Sequence, residues 1–252
     1  MAIKVVKRDG TKVDLDLEKM HQVVFFACED INGVSPSEVE IRSHIQFDDG
    51  ITSAEIQETL IKSAADLITE ETPNYQWVAG NLINYHIRKE VYGSFDPWHI
   101  RDIVAKNSNA GFYDSELLSS YTDEEWEKIN SFIVHKRDFN ISYVGMEQFR
   151  GKYLAQNRAT KTLYETPQVA YVLIAATLFS DYPKEDRLKW VKEYYDAVSN
   201  FDISLPTPVM AGVRTPQRQF SSCVVIETGD SLDSITATSS AIVKYVSQKA
   251  GI

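Results

Sequence analysis

Cysteine is nearly absent from this 252-residue chain, which holds only Cys28 and Cys223, far apart. That excludes the paired framework of a small secreted domain and any CxxC thiolate metal motif, and it fits a reducing compartment. The five histidines, His21, His44, His86, His99 and His135, are scattered without ligand-like spacing, so no metal site is expected. Positive charge is short as well: 26 Lys and Arg against 36 Asp and Glu leave a net charge of −10. No global field exists to collect a phosphate backbone, and nucleic acid is not an expected partner, although pockets for single nucleotides remain open. Long hydrophobic runs are also missing. The longest, Val169 to Phe179, is broken by Thr177 and, at about 1.5 Å per helical residue, falls short of a bilayer. The stretch Met1 to Gly10 carries no apolar core of a signal peptide. The expectation is a cytoplasmic protein that does not engage membrane.

What is present begins with a hairpin and continues with helices. Lys4 to Leu15 reads as a short strand, a tight turn at Asp9-Gly10 and an alternating strand. From Leu17 the period becomes helical, with Met20, Val23, Val24, Ala27 and Cys28 on one face, ending near Asn32-Gly33. Cys28 on that face reads as a small buried hydrophobe. Capping boxes at Ser37-Glu38-Val39-Glu40 and Thr52-Ser53-Ala54-Glu55 announce two more helices, the second reaching about Glu70. A fourth runs from about Gln76 to Val91. Beyond Phe95-Asp96-Pro97 lies a second helical region, with starts at Thr122-Asp123-Glu124-Glu125, Thr166-Pro167 and Tyr182-Pro183. Three of the eight prolines fall between Phe201 and Pro216, which predicts an extended, irregular segment. The β-branched run Phe220 to Ile226 predicts a buried strand, and Ser231 to Gln248 a helix.

Lys7-Arg8-Asp9-Gly10 alone is an ordinary charged turn. Lys19, and Lys89 at the end of the fourth helix, could join Lys7 on one phosphate chain. The stretch from Val5 to about Gly93, with Lys7-Arg8-Asp9-Gly10, Lys19, Gly50-Ile51-Thr52-Ser53 and Tyr85-His86-Ile87-Arg88-Lys89, resembles an ATP-cone. This is the regulatory nucleotide-binding module that opens many ribonucleotide reductase large subunits. The resemblance implies contacts to ATP or dATP, as Mg-nucleotides, from Lys7, Val13, Asp14, Leu15, Asp16, Leu17, Glu18, Lys19, Ser53 and Lys89. Val13 stands where the family usually offers a carboxylate, and Ser53 where threonine is common. Losing a carboxylate removes an acceptor for adenine or ribose, so the expected cone is folded but weakened in sensing. A retained scaffold with little regulation is the competing reading.

The last fifth of the chain carries the longest motifs: Ser204-Leu205-Pro206-Thr207-Pro208, Arg214-Thr215-Pro216, Arg218 to Cys223, and Gly229-Asp230-Ser231-Leu232-Asp233-Ser234-Ile235. Together they resemble the opening of the catalytic barrel of a class I ribonucleotide reductase α subunit, and the resemblance extends along essentially the whole chain. The implied fold is α+β and predominantly helical. Residues 1–95 would be an ATP-cone-like domain, a small sheet over a four-helix bundle. Residues 96–203 would be a helical domain, and 204–252 the first strand and helix of a ten-stranded α/β barrel.

By the same resemblance Cys223 is one of a redox-active pair in ribonucleoside diphosphate reduction, donating a proton to the departing hydroxyl and ending as a disulfide. Thr207, Ser222 and the backbone at Cys223 would meet the substrate, and Asp230, Ser231 and Leu232 the specificity effector, a deoxynucleoside triphosphate or ATP. On its own, Asp230 in Gly-Asp-Ser is an ordinary helix N-cap. Both roles are compatible, because a helix start offers free N–H groups. The family's second reducing cysteine, radical-bearing cysteine and C-terminal cysteine pair have no counterpart in this sequence. The expectation is a large subunit made in two pieces, inactive alone, with a second polypeptide completing the barrel. Further implied partners are another α subunit, paired through Ser231 to Gln248, a radical-generating small subunit carrying a diiron-tyrosyl centre, and a thioredoxin- or glutaredoxin-like reductant. A non-catalytic nucleotide-binding regulatory fragment, or a truncation, is the alternative.

Overall fold

The computed structural model of the chain describes residues 3–44, 47–248 and 250–252. Its elements, in chain order, are strands β1 (Lys4–Val6) and β2 (Lys12–Asp14), then helices α1 (Leu17–Cys28), α2 (Pro36–His44), α3 (Ser53–Ala65), α4 (Tyr75–Tyr92), α5 (Ile100–Asn109), α6 (Asp123–Phe132), α7 (Tyr143–Gln148), α8 (Pro167–Leu178), α9 (Arg187–Ser199), α10 (Thr207–Gly212) and α11 (Leu232–Ser247). The described fold is predominantly helical, with one two-stranded antiparallel sheet. The chain divides into two compact units: Met1–Asp96 with Lys136–Arg150, and Pro97–His135 with Gly151–Ile252.

In the first unit the hairpin pairs Lys4 with Asp14, Val5 with Val13 and Val6 with Lys12. Its turn closes through Gly10 N–H to the Lys7 carbonyl at 2.9 Å, and Gly10 sits at φ 83, a conformation glycine adopts without a Cβ penalty. The outer side of β1 is also used: Val6 N–H donates to the Ile51 carbonyl at 2.9 Å, and Gly50 N–H to the Lys4 carbonyl at 2.8 Å. That pairing delivers the start of α3 to the hairpin. Thr52 and Glu55 form a reciprocal capping box there, with Glu55 N–H on the Thr52 hydroxyl at 3.1 Å and Thr52 N–H on the Glu55 carboxylate at 2.8 Å.

The core of this unit is α4, whose Val78, Ala79, Leu82, Ile83 and Ile87 are fully buried. Full burial of each large aliphatic side chain contributes about 1.5–3 kcal/mol. Helix α7 lies against α4, and the contact is set by Gly80: a Cβ built there would sit 2.4 Å from the Ile141 carbonyl oxygen. This close approach attaches 136–150 to the first unit, where the sequence reading assigned the segment to the helical domain. Two boundaries also differ from expectation. Helix α2 starts at Pro36, which places Ser37 inside the helix, because proline at a first helical position needs no N–H partner. Helix α3 ends at Ala65, where Asp66 N–H closes on the Lys62 carbonyl at 2.8 Å.

In the second unit α8 is buried along almost its whole circumference, as its unbroken apolar composition requires. Gln168 on α8 accepts from the Tyr195 hydroxyl at 2.7 Å and the Ser199 hydroxyl at 2.6 Å, which docks α9. Arg187 at the start of α9 clamps Glu125, the residue that also completes the Thr122 capping box of α6. Beneath α10 lies a completely buried ion pair. Arg214 Nε is 2.8 Å from a Glu165 oxygen, and its other nitrogens donate to the Met210 carbonyl at 2.6 Å and the Tyr153 carbonyl at 2.9 Å.

Two expectations fail here. The proline-rich 201–216 segment contains α10, because Pro206 and Pro208 fall at the N-cap and second helical position, where proline loses no hydrogen bond. Phe220 to Ile226 forms no strand. Its only ladder pairing among the described residues is a parallel bridge of Cys223 with Gly251, and Val225 is 97% exposed. A strand needs a neighbouring strand to satisfy its backbone groups along at least one edge, and a single bridge does not do so.

The Gly80 contact gives a direct test. Gly80→Ala places a methyl against backbone that cannot rotate away, and is expected to cost about 2–3 kcal/mol in urea denaturation despite alanine's better helix propensity.

Candidate functional site

In the first unit, the open side of the hairpin and the starts of α1 and α3 enclose a cavity of about 350 Å³. Among the residues expected at a nucleotide, Lys7, Val13, Asp14, Leu15, Asp16, Lys19 and Ser53 line it. Leu17, Glu18 and Lys89 are not in its wall, and the Lys89 ammonium lies 5.1 Å over the Phe95 ring. The cavity therefore has two lining cations, Lys7 and Lys19. Val5, Met20, Val23, Ile56, Gln57 and Leu60 complete it with a mostly apolar floor that the sequence reading did not assign to the site. Their signal was present as the helical stripes of α1 and α3, read there simply as core.

Local hydrogen bonds fix the polar rim. Asp16 caps α1 by accepting from Lys19 N–H at 3.1 Å, and its carboxylate lies 3.1 Å from the Lys19 ammonium. The backbone bond from Lys19, followed by its side chain, holds the Asp16 carboxyl below the usual range. Asp14 pairs with Lys4 at 2.5 Å. Val5 and Val13, opposite each other in the sheet, both line the cavity, so the position that lacks a carboxylate presents an apolar surface.

Below this wall, His86 Nε2 lies 3.6 Å from Glu58, which is also bound by Arg150 at 2.7 Å. Burial, against the opposing pull of Glu58, lowers the His86 pKa below its ordinary 6.5, and Nδ1 is buried without a hydrogen-bond partner. Cys28 is buried, and desolvation, reinforced by Glu40, raises its thiol to about 12. That thiol stays protonated and unreactive at neutral pH.

In the second unit the expected substrate residues are not gathered. Thr207, at the start of α10, lines a cavity of about 440 Å³ with Gly151, Lys152, Leu154, Ala155, Gln156, Arg158, Lys161 and Ala211. Ser222 and Cys223 lie outside its wall on exposed backbone, with the Ser222 hydroxyl 3.8 Å from the Cys223 sulfur. Cys223 is held by Val224 N–H to the Gly251 carbonyl at 2.9 Å and Gly251 N–H to the Ser222 carbonyl at 2.8 Å. At the expected effector loop the cap of α11 is Ser231, accepting from Ser234 N–H at 3.2 Å, and not Asp230. Gly229 N–H donates to the Ser234 hydroxyl at 2.7 Å, which leaves Asp230 and Leu232 exposed. No residue of α11 is buried, and Leu232, Val243 and Val246 present an apolar face. Among the described residues there is no His, Cys, Asp and Glu cluster able to hold a metal ion, and no helix long and apolar enough to cross a membrane.

Two family models match this chain. Residues 3–90 match the ATP cone domain, and residues 139–218 match the ribonucleotide reductase all-alpha domain. Along its full length the chain is 57% identical over 251 residues to ribonucleoside-diphosphate reductase 1 subunit alpha of Salmonella typhimurium, covering 33% of that protein. It is 57% identical over 248 residues to the Escherichia coli protein of the same name, and 46% identical over 252 residues to ribonucleoside-diphosphate reductase subunit alpha of Enterobacteria phage T4, again covering 33% of each. The chain belongs to the ribonucleotide reductase large-subunit family and corresponds to the N-terminal third of these curated relatives.

His86 makes the first unit sensitive to pH. Because its folded pKa lies below the unfolded value, the unfolded chain takes up the proton first as pH falls through 6.5. Stability is therefore full above that pH and declines below it, by at most about 1.4 kcal/mol per pH unit from this group. His86→Gln is expected to flatten the decline between neutral pH and pH 5 in denaturant titrations, relative to the parent chain.

Proposed function

We propose that this chain is the N-terminal portion of a ribonucleoside-diphosphate reductase large subunit and contributes to making deoxyribonucleoside diphosphates for DNA synthesis. The observation that carries this reading is the 57% identity over 251 residues, a span that takes in the Cys223 segment. In the overall reaction the 2′-hydroxyl of a ribonucleoside diphosphate leaves as water and is replaced by hydrogen. Two thiols supply the two electrons and are oxidised to one disulfide. Cys223 is one of those thiols. Its exposure and its position on backbone paired only to Gly251 suit a residue that must meet substrate, a second thiol and later an external reductant. Thr207, Ser222 and the Cys223 backbone contact the substrate, and Asp230, Ser231 and Leu232 take the specificity effector at the start of α11.

Several partners follow from this reading. The exposed Leu232, Val243 and Val246 of α11 and the almost fully exposed Val225 are apolar surface that further barrel polypeptide and a second large subunit would cover. A radical-generating small subunit with its diiron-tyrosyl centre and a thioredoxin- or glutaredoxin-like reductant complete the cycle in the cytoplasm. In the first unit, the cavity at Lys7 and Lys19 takes the phosphates of ATP or dATP, brought as the magnesium complex, and its apolar wall at Val5, Val13 and Ile56 meets the base or sugar. A second reading, a regulatory nucleotide-binding module, is favoured by the cone cavity, which gathers its expected residues where Thr207 and Cys223 are not gathered.

Two measurements test the proposal. Dialysis of the chain against ATP and dATP is expected to give one cone site. Lys7→Ala and Lys19→Ala should each weaken it about tenfold, and Val13→Glu should tighten it. With the remaining large-subunit polypeptide and small subunit supplied, Cys223→Ser should abolish multiple turnover while leaving effector binding intact. Steady-state reduction retained in Cys223→Ser would sink the redox assignment and leave the regulatory-module reading standing.

A further inference from the structure

We infer that the aromatic pocket between the end of α8 and one face of α9 is a binding site for an organic cation, an alkylated ammonium group of the choline type. The pocket, of about 360 Å³, is lined by Phe179, Tyr182, Trp190, Glu193 and Tyr194. Four of these are aromatic and the fifth is a carboxylate, and no cation belongs to the wall among the described residues. The inference goes beyond the reductase reading, because none of the five was expected at substrate, effector or cone nucleotide.

Local sequence builds the walls. Glu193 and Tyr194 follow Trp190 on α9 by three and four residues, so the three share one helix face. Phe179 caps α8 with its N–H on the Ala175 carbonyl at 3.1 Å, and Tyr182 N–H closes the next turn on the Phe179 carbonyl at 3.1 Å. Arg187 ties the two pieces together: it donates to the Ser180 carbonyl at 3.1 Å while its other nitrogens hold Glu125. Around the Phe179 ring, Tyr182 stands at 4.9 Å and 84°, Tyr194 at 5.6 Å and 70°, and Trp190 at 6.5 Å and 24°. Rings set at such angles do not all lie flat on one another, and the hollow they leave is walled by π surface. Tyr182 and Trp190 remain 47% and 39% exposed, so this aromatic surface is not used up in the core.

Charge selects the occupant. Ring faces carry the negative end of the aromatic quadrupole, and Glu193 adds a full negative charge, so both favour a cation and disfavour a phosphate or carboxylate. One of these rings already attracts a cation, since the Lys189 ammonium lies 5.2 Å from the Trp190 centroid. Lys189 is not in the pocket wall, which leaves the hollow open to a second cation. A small inorganic ion would lose its hydration in an apolar hollow without compensating ligands, whereas an alkylated ammonium brings methyl groups to the rings.

The test titrates the full chain with choline and follows the Trp190 indole N–H resonance, which Trp190→Phe identifies among the four tryptophans. A saturable shift with a dissociation constant on the order of 1 mM is expected. Glu193→Gln removes a surface charge without disturbing a packed ring, and is expected to weaken choline about threefold at an unchanged thermal midpoint; Tyr182→Leu should weaken it about fivefold. The neutral tert-butyl isostere of choline is expected to shift the resonance far less at the same concentration, and potassium chloride not at all. Equal binding of the isostere would overturn the inference and leave an apolar pocket. Absence of a saturable choline shift, or a potassium response matching that of choline, would overturn it too. Turnover does not enter this readout, so a failure of the Cys223 assignment appears separately.

Discussion

The buried pair of Glu165 and Arg214 is the interaction on which the architecture of the second unit turns. Both side chains are wholly removed from solvent, and desolvating each charge costs several kcal/mol. The cost is offset because all three guanidinium nitrogens and both carboxylate oxygens are hydrogen-bonded. Glu165 takes the Tyr113 hydroxyl at 2.6 Å and Ala155 N–H at 2.6 Å besides the guanidinium. Arg214 reaches the Met210 and Tyr153 carbonyls. Burial first, and the Glu165 charge second, push the Tyr113 pKa far up, so its hydroxyl remains a donor. Burial opposes the Arg214 charge, and Glu165 more than compensates. One pair thereby ties together the segments around Tyr113, Tyr153 and Ala155 with α10. These segments carry Thr207 and part of the wall of its cavity.

The first unit reaches its cavity by a cheaper route, through backbone hydrogen bonds and helix caps at the surface. The hairpin, the parallel bridge of Val6 with Thr52 and the Asp16 and Thr52 caps all meet at one edge. Two helix starts, with their uncommitted N–H groups and favourable dipole ends, therefore open beside Lys7 and Lys19. No buried charge lines the cavity, and the half-buried His86 has its pKa lowered by desolvation.

The end of the chain obeys a different balance. Residues of α11 bury nothing, and the Cys223 segment finds a single bridge, so neither is held by a core of its own. Their order comes from local chemistry: the Ser231 cap, the Ser234 contact to Gly229 and the Gln217 side chain donating to the Gln248 carbonyl at 2.6 Å. An apolar helix face supported only by such bonds is suited to being covered by further protein.

Local sequence was sufficient wherever one turn of chain carries the whole physical cause. The Asp9-Gly10 hairpin, the Thr52 and Thr122 capping boxes, the Pro167 helix start and the helical period of α11 were all legible, because each rests on contacts within a few residues. Seven of the residues that the family resemblance implied at a nucleotide line the cone cavity, and Leu17, Glu18 and Lys89 do not. What stayed hidden depends on partners distant in sequence. The close approach at Gly80 needs the Ile141 backbone, and the Glu165–Arg214 pair spans 49 positions. The cavity at Thr207 needs α10 folded against the 151–161 turn, and the apolar run at Phe220 to Ile226 looked like a strand whose pairing the tertiary structure does not supply. Sequence by itself determined most of the helices, the Thr52 and Thr122 caps and the chemical character of each segment, because those are short-range balances of propensity and hydrogen bonding. Only the tertiary structure decided which charges are buried as pairs and which line a cavity, because that depends on what long-range packing removes from water.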